Sequence, residues 1–195
     1  MSGQLTMIVG PMFSAKSAIL INMCHELIAQ GKRITCIKPI ADTRDKNAII
    51  SRKGAELPAR QMRYGPITPT DIEAHDVFVY DEIHMFHQGA VGRIKSLMYA
   101  RGKDVICAGL ELDWRTRPFA VVSQLLVEAT AVVRTVATCD ICGAPAHFTQ
   151  RTIESEELIL AGDSESYAAA CRACYVTPPC LTFVNEKHVS IGGQK

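Results

Sequence analysis

The first 138 residues alternate between short apolar runs and longer segments in which apolar residues recur at helical spacing. The apolar runs predict strands at residues 4–9, 33–38, 77–80, 104–109 and 131–136. The spaced segments predict helices at residues 17–30, 89–101 and 119–128. Because the strand runs are apolar at nearly every position, we expect a parallel sheet with helices covering both faces.

The alternation ends near residue 138, where the chain becomes punctuated by cysteines. A length of 195 residues corresponds to about 1.3 domains at ~150 residues per domain. We therefore predict one domain at residues 1–138 and a smaller one at residues 139–195. Within the first domain, residues 41–55 carry six charged side chains and predict a mobile loop.

The composition is that of an ordinary soluble globular protein, with 48% hydrophobic and 21% charged residues. The net charge of +1 disfavours a strongly basic nucleic-acid binder. No apolar run has the length of a membrane span, and no secretory signal is evident. We expect a cytoplasmic protein without nucleic-acid or membrane partners, in which disulfides are rare.

The first predicted strand runs directly into a segment that matches a phosphate-binding loop. The P-loop pattern of glycine, four residues, glycine, lysine and serine or threonine is met at Gly10, Lys16 and Ser17. Backbone N–H groups would surround phosphate oxygens, while Lys16 neutralises charge and Ser17 binds magnesium. Ala15 replaces the second glycine and is expected to be tolerated if its backbone is helical rather than at positive φ. The candidate phosphate-binding residues are Gly10, Pro11, Met12, Phe13, Ser14, Ala15, Lys16 and Ser17.

Two neighbouring carboxylates follow the predicted strand at residues 77–80. Asp81 has the Walker B position, where an aspartate holds magnesium beside the P-loop. Glu82 is then placed to orient or deprotonate an attacking hydroxyl group or water. We interpret His84 and His87 as site-lining or surface residues, because no third metal ligand is evident nearby.

Four cysteines form two pairs, each with two residues between its members, and 28 residues separate the pairs. Both thiolates of such a pair can reach one ion, and four closed ligands are typical of structural zinc. Iron in the same geometry is the alternative metal, and disulfides or free thiols are the alternatives without a metal. The candidate ligands are Cys139, Cys142, Cys171 and Cys174, while Cys180 has no evident partner.

These motifs together resemble the zinc-containing cytosolic thymidine kinases, also called type II thymidine kinases. The resemblance extends from about residue 4 to residue 176. Besides both cysteine pairs, the matching segments are residues 10–17, 38–39, 42–44, 81–82, 109–119, 149–151 and 164–167.

The resemblance implies an α/β fold with a RecA-like P-loop sheet and a small zinc-ribbon-like domain carrying a lasso loop. It implies transfer of the γ-phosphate of ATP to the 5′-hydroxyl of thymidine with Mg²⁺, which yields thymidine monophosphate for DNA precursor salvage. Glu82 would be the general base, Asp81 would help to hold Mg²⁺, and Arg44 would lie near the phosphates. Structural Zn²⁺ would anchor both ends of the lasso loop. A homotetramer and feedback inhibition by thymidine triphosphate are also implied. The residues implied to contact thymidine are Met12, Leu110, Trp114, Phe119, Thr149 and Tyr167.

The chain departs from the family pattern at several positions. Ala15 and Thr116 replace glycines, Trp114 replaces a phenylalanine, and His84 and Met85 replace a glutamine and an aromatic residue beside the candidate base. These changes bear on substrate breadth and rate more than on the type of reaction.

Two other functions are compatible with the same motifs. One is a P-loop ATPase or a zinc-ribbon module that binds nucleotides or nucleic acids, since Asp81 and Glu82 also suit activation of water. The other retains the fold but loses activity through Ala15 and the substitutions around Glu82. ATP binding, ATP hydrolysis and formation of thymidine monophosphate distinguish these possibilities.

Overall fold

The computed structural model describes residues 2–43, 47–63, 67–155, 157–158 and 164–176. Two residues named above, Arg44 and Cys180, lie outside these ranges. The strands are, in chain order, β1 (Leu5–Val9), β2 (Ile34–Pro39), β3 (Ala48–Ile50), β4 (Glu56–Pro58), β5 (Arg60–Met62), β6 (Val77–Tyr80), β7 (Asp104–Gly109), β8 (Ala131–Arg134), β9 (Ala137–Thr138), β10 (Pro145–Ala146), β11 (Phe148–Arg151) and β12 (Tyr167–Ala170).

A six-stranded sheet with the order β5-β2-β6-β7-β1-β8 forms the centre of the protein. All five strand pairs within it are parallel. The five strands predicted from apolar runs are all members of this sheet, so the predicted parallel α/β fold is confirmed. The additional strand β5 is short and lies at one edge.

Helices cover both faces of this sheet, which explains why its strands are apolar throughout. The helices are α1 (Lys16–Ala29), α2 (Pro69–Ala74), α3 (Gly89–Lys95) and α4 (Ala120–Glu128). Met7 of β1 packs on the face covered by α3 and α4, whereas the next residue, Ile8, packs on the face covered by α1. None of the described helices has the length and apolarity needed to cross a membrane.

Two helical segments differ from the prediction. The helix predicted at residues 89–101 changes from α-helical to π-helical hydrogen bonding at Ser96–Ala100. Helix α2 was not predicted, although its start has a clear sequence signal. The Thr68 hydroxyl accepts a hydrogen bond from the backbone N–H of Asp71, and the Asp71 side chain accepts one from the backbone N–H of Thr68. This capping box and Pro69 in the first turn together favour a helix start.

The prediction of a mobile loop at residues 41–55 is wrong for its second half. Strand β3 pairs in antiparallel fashion with β4, which makes a hairpin. Ile49 and Leu57 are buried in the cluster that packs on α1. Burial of these two side chains outweighs the polar composition of the segment, and Gly54 supplies the positive φ of 84° in the turn.

The cysteine-containing part of the chain forms two small antiparallel ribbons, β9 with β10 and β11 with β12. The buried residues Ala137, Ala146 and Ala169 form a separate cluster with Cys139 and Cys171. Strand β9 lies just before the predicted domain boundary at residue 138 and pairs across it. The boundary itself stays a prediction.

A buried ion pair connects the central sheet to the β3–β4 hairpin. The Lys38 ammonium lies 3.1 Å from the Asp42 carboxylate, and the two side chains are only 3% and 2% exposed. Lys38 also donates a hydrogen bond to the carbonyl of Ala48, and Gln61 donates one to the carbonyl of Asp42. The pair therefore ties β2 to the first residue of β3 and to edge strand β5.

We predict that Lys38→Met lowers the free energy of unfolding by about 3–5 kcal/mol, because the buried Asp42 carboxylate loses the Lys38 ammonium. Urea denaturation measures the change. The double variant Lys38→Met/Asp42→Leu should recover most of the loss, because it removes both buried charges. A single variant within about 1 kcal/mol of the unmodified protein would contradict a stabilising role for the pair.

Candidate active site

The functional candidates lie at the edge of the sheet where the parallel strands end. Strand β1 leads into the P-loop, β6 leads into Asp81, and β7 leads into Leu110. Strand β7 lies between β1 and β6 in the sheet, so the P-loop and Asp81 flank its end. Ligands of open α/β sheets bind in the crevice outside the carboxyl ends of the strands.

The P-loop closes around the N-terminus of α1. Phe13 and Ala15 have positive φ values of 66° and 62°, with Ser14 between them. Such alternation turns successive N–H groups toward one side and forms an anion-binding concavity. Among the described residues no side chain caps α1, and its first turn holds no acidic residue. The N-terminal N–H groups of α1 are thus arranged for an anion.

Hydrogen bonds from side chains, and the close approach of Thr135, stabilise this loop. The Ser14 hydroxyl donates a hydrogen bond to the Pro11 carbonyl and lies 2.6 Å from the Thr135 hydroxyl. A Cβ atom at Gly10 would overlap the hydroxyl and carbonyl of Thr135, so glycine is required there for close approach. Lys16 folds back and donates to the Pro11 carbonyl at 2.5 Å.

Alanine was expected to fit at position 15 on the condition that the backbone there is helical. The structure does not meet this condition. Ala15 adopts left-handed φ and ψ values of 62° and 22° just before α1. An L-residue is disfavoured there by about 1–2 kcal/mol relative to glycine. Thr116, the second replacement of a family glycine, is also left-handed, with φ of 61°.

Glu82 is held in a strained conformation beside a buried histidine. Its φ and ψ are 50° and 44°, immediately before the 3-10 turn Ile83–Met85. The His84 Nδ1 atom lies 3.5 Å from the Glu82 carboxylate and accepts a hydrogen bond from the Leu110 backbone N–H at 3.3 Å. Accepting at Nδ1 places the proton of a neutral ring on Nε2. His84 also lines the cavity described below, in agreement with the first of its two interpretations.

One cavity of about 660 Å³ joins these groups. A volume of this size suits a small-molecule ligand. It is lined by the predicted phosphate and acidic residues Met12, Phe13, Ser14, Ala15, Lys16, Ser17, Asp81 and Glu82, and by the predicted substrate residues Leu110, Trp114, Phe119, Thr149 and Tyr167. Gly10 and Pro11, the first two residues of the P-loop, are not part of the lining.

Sequence reasoning missed several lining residues on the β3–β4 hairpin. Ile50, Arg52 and Lys53 all face the cavity, and the Arg52 guanidinium lies 4.1 Å from the centre of the Phe13 ring. A signal was available, because the polar residues 51–53 and Gly54 lie between the apolar pair Ile49-Ile50 and the alternating residues Ala55 and Leu57. Asp113 also lines the cavity, and its carboxylate accepts hydrogen bonds from the N–H groups of Arg115 and Arg117.

The cysteine-containing part contacts the P-loop directly. The Thr149 hydroxyl of β11 accepts a hydrogen bond from the Met12 backbone N–H at 3.0 Å. The Phe13 side chain packs against the cluster that contains Cys139 and Cys171. Phosphate loop and cysteine cluster are therefore parts of one connected site.

The four predicted metal ligands lie together, with their sulfur atoms all within 4.8 Å of one another. Cys142 Sγ and Cys171 Sγ are 3.6 Å apart, close to the edge of about 3.8 Å expected for a tetrahedron with ~2.3 Å zinc–sulfur bonds. Hydrogen bonds from backbone N–H groups, above all that of Cys171, lower the pKa of Cys139 to about 6. This donor set fits a tetrahedral thiolate metal site.

The fold and site define the class of P-loop α/β proteins with an attached four-cysteine cluster. The chain belongs to the thymidine kinase family, whose sequence pattern matches residues 3–175. It phosphorylates thymidine, and the alternative of a nucleic-acid-binding module or ATPase is not favoured.

Two curated relatives named thymidine kinase are similar over nearly their whole lengths. The protein from Pyrobaculum aerophilum is 34% identical, with 90% of this chain and 100% of the relative aligned. The protein from Deinococcus deserti is 35% identical, with 89% of this chain and 95% of the relative aligned. A structure of Bacteroides Pif1 bound to single-stranded DNA matches 68% of this chain and 38% of its own, at 15% identity and a TM-score of 0.36. That last similarity is too weak to support a conclusion.

We predict that Ala15→Gly raises the free energy of unfolding by about 1 kcal/mol, because glycine relieves the left-handed strain. Urea denaturation measures the effect. The matched control is Ala18→Gly, the same change inside α1, which should instead lower stability by about 1 kcal/mol. Loss of stability in both variants would contradict strain at position 15.

Proposed function

We propose that this thymidine kinase takes its phosphoryl group from ATP and transfers the γ-phosphate to the 5′-hydroxyl of thymidine. The observation that carries the proposal is the shared cavity, in which the P-loop residues and Glu82 face the apolar side chains of Leu110 and Phe119. Phosphate groups suit the charged end of such a cavity, and a flat base suits its apolar walls.

At the donor end, the N–H groups of the P-loop and the Lys16 ammonium would bind the β- and γ-phosphates. Lys16, which donates a hydrogen bond to the Pro11 carbonyl, would exchange that contact for phosphate oxygens. Ser17 and Asp81 are the residues that would hold Mg²⁺, which when bound offsets the charge of the phosphates. Arg44, outside the described residues, is proposed as a further cation for the phosphates.

At the acceptor end, Glu82 would accept the proton of the 5′-hydroxyl. Its strained backbone is of a kind that clusters at active sites, where surrounding packing holds a side chain in place. The loose transition state of phosphoryl transfer demands little basicity, so orientation of the hydroxyl is the main contribution of the carboxylate. His84 limits the rotation of this carboxylate by packing beside it.

The nucleoside would lie between the P-loop and the cysteine-containing part. The proposed contacts are Met12, Leu110, Trp114, Phe119, Thr149 and Tyr167, all of which line the cavity. The Phe119 ring is fixed by its contact with His84, whose ring centre is 4.9 Å away. A fixed aromatic wall favours stacking with a pyrimidine ring.

Zinc is the metal proposed for the four cysteines. They lie at both ends of the segment at residues 143–170, so a bound ion would hold the lasso loop at its two bases. The division of the protein at residue 138 into a phosphate-binding domain and a domain that grips the nucleoside is part of the same proposal.

Resemblance to the family supports three further parts of the proposal: a homotetramer, feedback inhibition by thymidine triphosphate, and a cytoplasmic location. Inhibition by a triphosphate of the product nucleoside suits one cavity that accepts both a base and phosphates. Size-exclusion chromatography with light scattering tests the assembly.

Glu82→Gln should lower kcat for thymidine by about 10²–10⁴-fold while thymidine affinity is retained, because glutamine keeps the shape but accepts no proton. Turnover of radiolabelled ATP with thymidine and titration calorimetry measure the two quantities. Glu111→Gln is the control, since Glu111 pairs with Arg134 outside the cavity. A kcat within about threefold of the unmodified enzyme would exclude Glu82 as the base. ATP hydrolysis without thymidine monophosphate would instead favour an ATPase.

Cys142→Ser should reduce the zinc content from about one ion per chain to near zero, because a tetrahedral site loses one of its four thiolates. Metal analysis of the purified protein measures it, and thymidine binding should be lost with the metal. Cys180→Ser serves as the matched control and should keep both properties. Full zinc content in the Cys142 variant would argue against the four-thiolate site.

A further inference from the structure

A buried arginine organises part of the segment that joins the two cysteine pairs. Arg151, the last residue of β11, is only 6% exposed. Its guanidinium donates hydrogen bonds to the carbonyls of Ser155 and Glu157 at 3.0 and 2.5 Å, and a longer one to that of Leu158 at 3.5 Å. We refer to Ser155, Glu157 and Leu158 as the loop arm.

Trp114 contacts the same arm from the other side. Its indole N–H points to the Glu157 carbonyl at 3.3 Å, so that this oxygen receives donors from both Trp114 and Arg151. The Arg151 guanidinium lies 4.6 Å from the centre of the Trp114 ring, within range of a cation–π interaction. Arg151 also donates to the Tyr167 hydroxyl at 2.8 Å.

We propose that Arg151 is a positioning residue that, together with the cavity-lining Trp114, holds the loop arm against the thymidine end of the cavity. Glu157 and Leu158 line that cavity together with Trp114 and Tyr167, whereas Arg151 itself does not. The guanidinium thus acts on the nucleoside through the arm and through Tyr167. This inference rests on the proposed nucleoside position.

The buried charge of Arg151 requires the carbonyl groups of the loop arm as hydrogen-bond partners. Among the described residues no carboxylate pairs with it, and backbone carbonyls, a phenol oxygen and aromatic faces compensate the buried cation instead. If the arm moved away, the guanidinium would lose these carbonyl partners, whereas the contacts with Tyr167 and the Trp114 ring do not replace charge-assisted hydrogen bonds. The hydrogen bonds between the guanidinium and the arm therefore stabilise both the position of the arm and the buried cation.

The contact between Trp114 and the loop arm depends on a residue that departs from the family pattern. Phenylalanine, the residue that the family pattern has at this position, supplies the ring but has no N–H group for the Glu157 carbonyl. Tryptophan adds one hydrogen bond to the arm and a larger surface for the cation. The substitution is thus expected to favour retention of thymidine.

The test uses the full-length zinc-loaded enzyme and compares KM for thymidine, KM for ATP and kcat. Arg151→Met should raise KM for thymidine about tenfold or more and leave KM for ATP within about twofold, because the charged hydrogen bonds to the arm are lost. Arg151→Lys should restore part of the affinity, since lysine keeps the charge but not the planar fork. Trp114→Phe should raise KM for thymidine by about two- to fivefold.

A second readout needs no activity, because Trp114 is the single tryptophan of the chain. In the absence of nucleoside, Arg151→Met should increase acrylamide quenching of Trp114 fluorescence and shift its emission to longer wavelength. Arg172→Met, which removes a cation 5.3 Å from the Phe148 ring, is the control and should change neither quenching nor KM.

Unchanged quenching and unchanged KM for thymidine in Arg151→Met would overturn the proposal. Equal increases in both KM values with zinc retained would also overturn it, because the effect would then not be confined to the thymidine end of the cavity. If Arg151→Met does not fold, Arg151→Lys and Trp114→Phe decide by the same criteria. Absence of thymidine phosphorylation in the unmodified protein would contradict the proposed function instead, while the fluorescence still tests the arm.

Discussion

Burial of both faces of the parallel sheet determines where this protein can carry out chemistry. Helices α1, α3 and α4 occupy the faces, so the open edge at the carboxyl ends of the strands is left for ligands. Because all six strands run in one direction, the P-loop and the two carboxylates reach that same edge. A single strand, β7, separates the strand that leads into the P-loop from the strand that leads into the carboxylates. Leu110, which follows β7, lines the cavity between them.

The P-loop is also the part of the protein to which the other parts attach. Thr149 binds the backbone of Met12, and Phe13 contacts both the cysteine cluster and Arg52 of the hairpin. These contacts join the P-loop to the cysteine-containing part and to the β3–β4 hairpin.

Strain is concentrated at this edge of the sheet. Phe13, Ala15, Glu82 and Thr116 are the non-glycine residues with positive φ among the described residues, and the first three line the cavity. Ala15 and Thr116 occupy family glycine positions without the change in backbone that their side chains would prefer. The fold thus imposes the left-handed geometry, and surrounding packing offsets its cost.

The periodicity and motifs of the sequence were sufficient to predict the parallel sheet, the P-loop, the positions of Asp81 and Glu82 at a strand end, and the clustering of the four cysteines. Each of these depends on residues that are close along the chain or on the rule that parallel strand ends share one edge. The tertiary structure decided that residues 48–58 form a hairpin over the P-loop, that Ala15 is left-handed, and that Arg151 meets Trp114. These outcomes result from burial and long-range contacts, which local patterns along one chain do not encode.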